Sequence, residues 1–193
     1  MTARTHDLGA ITALGLVLVV VPIQSVTLGT ALLAILANQI GGIAPDIDQP
    51  TAPFWRNLPS GNFVGKIFAK MLGGHRFLSH SLLGILLFGV LTDLLLYFLH
   101  PLMLSINITL VWYAFLIGMI SHLLMDTFTK EGVPWLLPVP IKFGLPPVHR
   151  LRITTGKYVE TLIIFPALLI LDIWLFASHY NQLMTFIQQH LSR

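Results

Sequence analysis

The chain has 193 residues, 55% of them hydrophobic and only 10% charged, with a mean hydropathy of +0.80 and a formal net charge of +3. A water-soluble domain carries about a quarter charged residues, so the composition excludes an ordinary soluble fold and predicts an integral membrane protein that forms one domain over 1–193. There are no cysteines, which excludes disulfides and thiolate metal sites and leaves nitrogen and oxygen as the donors for any bound metal.

Apolar runs near the roughly 20 residues needed to cross a hydrocarbon core occupy 8–23, 27–44, 82–99, 106–124 and 159–177. The fold class is therefore an all-α membrane bundle of about five transmembrane helices. The first two runs are short and joined tightly at 22–27, so a shallow hairpin is the alternative to the two full crossings favoured by their lengths. A cleaved signal peptide does not fit the first run. Only Arg4 precedes it, no small-residue cleavage site follows, and it passes into another apolar run. Two polar segments, 45–81 and 127–158, lie between the runs and are rich in Pro, Gly and basic residues. There is no internal repeat and no low-complexity tract.

Charge placement predicts orientation. With five crossings, Arg4, Arg56, Lys66, Lys70, Arg76, Lys130, Lys142, Arg150, Arg152 and Lys157 share one side, and Arg193 falls on the other. Lys and Arg in short loops stay cytoplasmic, so the amino terminus and both long loops are expected in the cytoplasm and the carboxy terminus in the periplasm. A basic face against anionic lipid headgroups accounts for the net charge. No helix-turn-helix or basic stripe calls for a nucleic-acid partner.

The same path gathers chemistry at one end. His6 precedes the first helix, Asp46 and Asp48 follow the second, and His75 and His80 precede the third. His122 and Asp126 end the fourth, and Glu160 begins the fifth. In an up-down bundle all eight fall at the cytoplasmic ends, where they form a candidate metal layer. His122 and Asp126 are four apart, a spacing that puts both on one helical face and by which helical pairs grip one ion. Asp46 and Asp48 follow Pro45 and are expected in an extended segment, one carboxylate binding and the other bridging a second ion or orienting a histidine. Ser79 is the expected N-cap of the third helix, with His80 in its first turn and His75 in the loop before it. Gly73 and Gly74 free the backbone ahead of His75.

Each cluster also has a plainer reading. Asp46 and Asp48 could be residues of a helix end and turn, and His122 with Asp126 an interhelical hydrogen-bond pair. An isolated histidine at an interface is usually solvated or hydrogen-bonded, which is the reading given to His100, His179 and His190. Ionisable groups buried at a membrane helix end are functional by default. Asp93 and Asp172 lie about 18–20 Å along their helices at 1.5 Å per residue, beyond reach of the metal layer and toward the opposite interface.

Gly41-Gly42-Ile43-Ala44-Pro45-Asp46-Ile47-Asp48, His75-Arg76-Phe77-Leu78-Ser79-His80-Ser81, Ser121-His122-Leu123-Leu124-Met125-Asp126 and Gly132-Val133-Pro134-Trp135-Leu136-Leu137-Pro138 resemble the motifs of the YdjM-type, LexA-regulated inner-membrane family of metal-dependent hydrolases. Thr5-His6 matches that family's amino-terminal histidine and Glu160 its glutamate before the last helix. The resemblance covers about residues 4–165 and implies an inner-membrane enzyme with a place in the SOS response. Two departures stand out: Gln49 replaces a frequent histidine, and Phe77-Leu78-Ser79 replaces Gly-Phe-Thr. A fainter likeness, through His122 and Asp126, is to the all-helical zinc phospholipase C and P1-type nuclease group, whose later His-x-x-x-Glu pair has no counterpart here.

Several imidazoles and carboxylates without thiolate suit Zn or Mn, and the ligand count exceeds the three typical of one catalytic zinc, so two or more divalent ions are expected. The expected function is a membrane-bound metal-dependent hydrolase acting on a phosphoester, with a phospholipid as one candidate substrate. Arg76 would fork onto phosphate oxygens, with a positive-inside anchor as its plainer role. Asp48 would serve as ligand or general base. Trp55, Phe63, Phe68 and Trp135 are expected at the headgroups, as anchors or beside a lateral lipid entry. The alternative is a metal-binding membrane protein without turnover, a transporter or a metal-stapled scaffold. A transporter would place its ligands near mid-membrane in broken helices, whereas these sit at helix ends.

Overall fold

The computed structural model describes residues 1–21, 26–139 and 141–191. Most of the tight link at 22–27, and Arg193 on which the carboxy-terminal charge reading rested, lie outside them. Among the described residues the protein is helical, with no strands and two isolated bridges, Thr129 to Ile153 and Val133 to Phe143. The long helices are α1 (Ala3–Val20), α2 (Leu28–Ile43), α5 (Leu82–Leu99), α6 (Ile108–Thr127) and α7 (Phe165–Ser178). Shorter helices are α3 (Pro53–Arg56), α4 (Gly61–Met71) and α8 (Tyr180–Leu191). Among the described residues, five helical stretches are long and apolar enough to cross a bilayer: Ala3–Val20, Leu28–Asp48, Leu82–Leu102, Ile108–Thr127 and Glu160–Ser178. The protein is a membrane-embedded helical bundle.

Helix starts follow from side-chain caps. Thr27 accepts from Thr30 N, Ser81 from Gly84 N and Asn107 from Leu110 N, each satisfying a donor that the first turn leaves free. The cap of α5 is thus Ser81 and not Ser79, because the Ser79 hydroxyl is drawn to Asp48. His80 accordingly sits in a separate 3-10 turn, Leu78–His80, ahead of the helix.

The last crossing starts as a π-helical turn, Glu160–Ile164, that continues into α7. Pro166 lies in the first turn of α7. It has no N–H to close a regular i to i−4 bond, which is a local reason for the wider turn.

The sequence-level picture of two polar loops needs correcting. The 45–81 segment contains α3 and α4, and a further amphipathic helix, α8, follows the last crossing. The Asp46-Ile47-Asp48 segment is not extended: Ala44–Asp48 forms a 3-10 turn that carries on from α2. Pro45 suits the start of such a turn, where its missing donor costs nothing. Helical geometry therefore points the two carboxylates in different directions.

α6 is the central helix. Of its spanning window 44% is buried inside the protein, against 6% for the window that includes α7. Its most extensive contact is with α2. There a Cβ on Gly118 would strike the Asn38 carbonyl and one on Gly41 the Phe115 carbonyl, so the two backbones touch. Such small-residue seams are how helices associate where lipid offers no hydrophobic drive. Asn38 is fully buried and donates to the Ala114 carbonyl across the seam at 3.2 Å. Phe115, Met119, Leu123 and Val133 make the apolar core just beneath the ligand-bearing end. α5 and α7 turn most of their Leu and Ile side chains outward, as lipid-facing helices should.

Candidate metal centre

Five of the eight predicted ligands, His6, Asp46, His80, His122 and Asp126, bring ligand atoms together at one end of the bundle. His122, on the last turns of α6, points its Nδ1 at the Gly42 carbonyl, 2.7 Å away. A carbonyl only accepts, so Nδ1 carries the proton and Nε2 presents a lone pair. His80 is arranged alike: Nδ1 faces Asp48 Oδ2 at 3.2 Å, again an acceptor, and Nε2 is left free. Both Nε2 atoms are buried without a hydrogen-bond partner among the described residues. An orphaned buried polar atom is costly, and here two lie in one place.

Asp46 Oδ1 and Asp126 Oδ2 complete the group. His80 Nε2 lies 3.9 Å from Asp46 Oδ1 and 3.8 Å from Asp126 Oδ2, and His122 Nε2 lies 3.7 Å and 3.8 Å from the same two atoms. Donors bound about 2.0–2.1 Å from one tetrahedral zinc stand about 3.4 Å apart, so this ring is wider than a closed site by a few tenths of an ångström. The donor set, two imidazoles and two carboxylates, fits a divalent ion such as Zn or Mn. Asp46, His80 and His122 form one candidate metal trio, and His6, His122 and Asp126 another.

The second trio extends the centre toward α1. The His6 ring stacks on His122 with centroids 3.6 Å apart, and its Nε2 lies 3.2 Å from Asp126 Oδ1. The amino group of Met1 also bonds Asp126 Oδ1. Asp126 therefore links both trios, one oxygen turned to each.

Asp48 stands behind this layer. It is fully buried and accepts from the Ser79 hydroxyl, the Arg76 backbone N–H at 2.9 Å, His80 Nδ1, and His75 Nδ1 at 2.8 Å. With those partners, three on Oδ2 and one on Oδ1, it is a carboxylate that orients a histidine. His75 belongs to neither trio. Burial pushes its pKa down, but the Asp48 carboxylate more than offsets that and holds the imidazole above its ordinary value.

Arg76 is buried as well, with φ +56, a left-handed backbone that L-residues seldom adopt. Its guanidinium contacts Asp126 Oδ2 at 2.6 Å and the Thr129 hydroxyl at 2.8 Å. Its fork is thus taken up by the protein, tying the histidine segment to the end of α6. Glu160 is also fully buried, but it serves the chain start. It accepts from Thr2 N, from the hydroxyls of Thr2 and Thr5, and from Gly156 N at 2.6–2.8 Å, which places His6 one turn further on.

A cavity of about 180 Å³ opens beside His6 and Asp46, walled by Ala3, Ile43, Ala52, Pro53 and Phe54 with Asp7 and Asn57 as its polar members. Asp46 is the most exposed of the four central donors, at 18% against 0–1% for the others. It lines this cavity, so the four donor atoms are approached from that side.

A family model for YdjM inner membrane proteins matches residues 1–187. The chain belongs to the YdjM inner membrane protein family. A curated relative, the uncharacterized protein YvsG of Bacillus subtilis (strain 168), is 26% identical over 164 residues, covering 85% of this chain and 88% of YvsG. No solved structure matches the chain.

In this YdjM family member, Gln49 bonds the Thr51 hydroxyl. Of the four predicted interfacial aromatics, Phe63 alone is exposed. Trp55 is buried with its Nε1 on the Ile47 carbonyl, Phe68 is half-buried, and Trp135 bonds the Thr127 hydroxyl. The partners that sequence reasoning missed are Gly42, Ser79, Thr129, Thr2 and Thr5. A backbone carbonyl leaves no mark in a sequence, and a serine or threonine beside a candidate ligand is too common to signal anything. Asp172, placed at the far interface by sequence, lies beside Thr12 of α1 with both carboxylate oxygens buried.

Proposed function

We propose that this protein is a membrane-bound, metal-dependent hydrolase acting on a phosphoester, with the ligand-bearing end of the bundle in the cytoplasm. The observation that carries the metal is the pair of inward-facing, unpartnered Nε2 atoms of His80 and His122 flanked by Asp46 and Asp126. His80, His122, Asp46 and Asp126 would hold one divalent ion, and His6 with the other oxygen of Asp126 would contribute to a second. When bound, the metal supplies Lewis acidity that activates water and polarises a phosphoryl centre.

The chain's own residues then have defined tasks. Asp48 and Ser79 fix the ring of His80, and the Gly42 carbonyl fixes that of His122. Arg76 neutralises Asp126 and pins it to the Thr129 loop; it is a positioning residue and not a phosphate clamp. The cavity beside Asp46 receives the substrate. Its Ala, Ile, Pro and Phe walls suit the apolar part of an amphiphile such as a phospholipid, while the phosphoester lies toward the four donors.

A second reading has one observation in its favour. Four protein donors, three of them sealed from solvent, are also the mark of a structural metal site, and a metal-stapled scaffold would need no turnover. The exposure of Asp46 into a cavity favours catalysis, and the position of the donors at helix ends disfavours transport.

The test is elemental analysis of detergent-purified protein beside a His122→Ala, Asp126→Ala variant, with a screen against phospholipid and model phosphodiester substrates. Stoichiometric metal lost in the variant, together with hydrolysis by the wild type alone, is the expected result. Full metal retention in the variant would overturn the site. Tight metal with no hydrolysis in a folded protein would select the scaffold.

A further inference from the structure

The helix α4 has two apolar faces, and the protein covers one of them. Gly61 and Gly65 are buried and pack against Trp55 and Pro50 with no room for a side chain. Phe63, Ile67 and Met71, four apart in turn, are 68%, 45% and 72% exposed. At about 100° per residue they form a stripe roughly 130° around the helix from the buried glycines. Lys66 and Lys70 are exposed on the arc beside that stripe, and neither has an acidic partner among the described residues.

α4 follows the Asp46-bearing turn and α3 and precedes the His80 turn, so it sits at the ligand-bearing end of five helices that cross a bilayer. Apolar side chains on one arc and unpaired lysines on the next are the pattern of a helix lying in the headgroup plane. Each lysine near an anionic surface adds attraction.

We propose that α4 is a leaflet-docking helix: Phe63, Ile67 and Met71 insert at the acyl boundary of the adjacent leaflet, and Lys66 and Lys70 bind the phosphates of anionic lipids there. The other face of α4 holds Trp55, whose indole N–H donates to the Ile47 carbonyl between Asp46 and Asp48 at 3.0 Å. The docked helix is therefore joined directly to the turn that carries two of the site's carboxylates. The inference rests on membrane embedding alone and stands whether or not the site hydrolyses anything.

The chain has no cysteine, so single-cysteine labelling is clean. Full-length Ile67→Cys, Met71→Cys and Asn62→Cys proteins, each carrying an environment-sensitive fluorophore, are reconstituted into phosphatidylcholine vesicles with and without phosphatidylglycerol. Labels at 67 and 71 should be several-fold less quenched by aqueous iodide than the label at 62 and more quenched by brominated lipid. A Lys66→Glu, Lys70→Glu background should lose the phosphatidylglycerol-dependent part of that protection. Equal iodide access at all three sites would overturn the proposal. So would protection from iodide without quenching by brominated lipid, an outcome that puts a second protein surface on the stripe.

Discussion

His80 and His122 owe their expected ligand role to what holds the other side of each ring. Asp48 is the clearest test, because it touches His80 Nδ1 and His75 and lies in neither trio. Asp48→Asn should keep the bundle folded and weaken metal binding by about 10- to 100-fold, the usual cost of losing such a partner, measured by competition with a chelating dye. An unchanged affinity would mean that the His80 ring is set by packing alone. Ser79 and Ser81 separate two roles that their sequence context confuses. Ser81→Ala removes the cap of α5 and should cost about 1 kcal/mol of stability, leaving metal affinity in place. Ser79→Ala should do the reverse, lowering affinity through Asp48 with little change in helix stability. Denaturation and metal titration of both variants in one detergent check this pair. The residue types were legible in the sequence, whereas their partners were not: Gly42 contributes a carbonyl, which every residue has.

At the scale of elements, the α2–α6 seam carries the site, since it brings Gly42 against the His122 ring. Gly118→Val places a branched side chain against the Asn38 carbonyl and should destabilise the bundle by about 1–3 kcal/mol or more, the range for overpacking. It should also weaken metal binding, because His122 and the Gly42 carbonyl would part. Gly74, where a side chain would meet nothing within 4 Å but φ is +95, offers a control: Gly74→Ala should cost stability through backbone strain alone. Thermal unfolding followed by circular dichroism reads both. The sequence marked the five crossings well because an apolar run of membrane length has few other uses. It hid α3 and α4 because these are short and amphipathic, and their Pro and Gly content resembles that of a loop. It misplaced the Asp46–Asp48 segment because Pro45 is as acceptable at the first turn of a helix as in an extended chain.

For the whole molecule, an odd number of crossings puts the two termini on opposite sides. A topology reporter fused to the carboxy terminus should register as periplasmic and one at the amino terminus as cytoplasmic; the same compartment for both would mean four or six crossings. Composition by itself determined that the chain lives in lipid, and run length marked the five stretches long enough to cross it. The alternation of helix starts and ends determined that the acids and imidazoles collect at one end. Only the tertiary structure decided which of them share a cavity of ligand atoms and which stand behind, because that depends on side-chain direction. Helical periodicity aims Asp46 and Asp48 differently within one turn, and a contact between two glycine-lined backbones decides which carbonyl meets His122. Those are distances of a few ångströms between residues up to 158 positions apart, and local sequence carries no record of them.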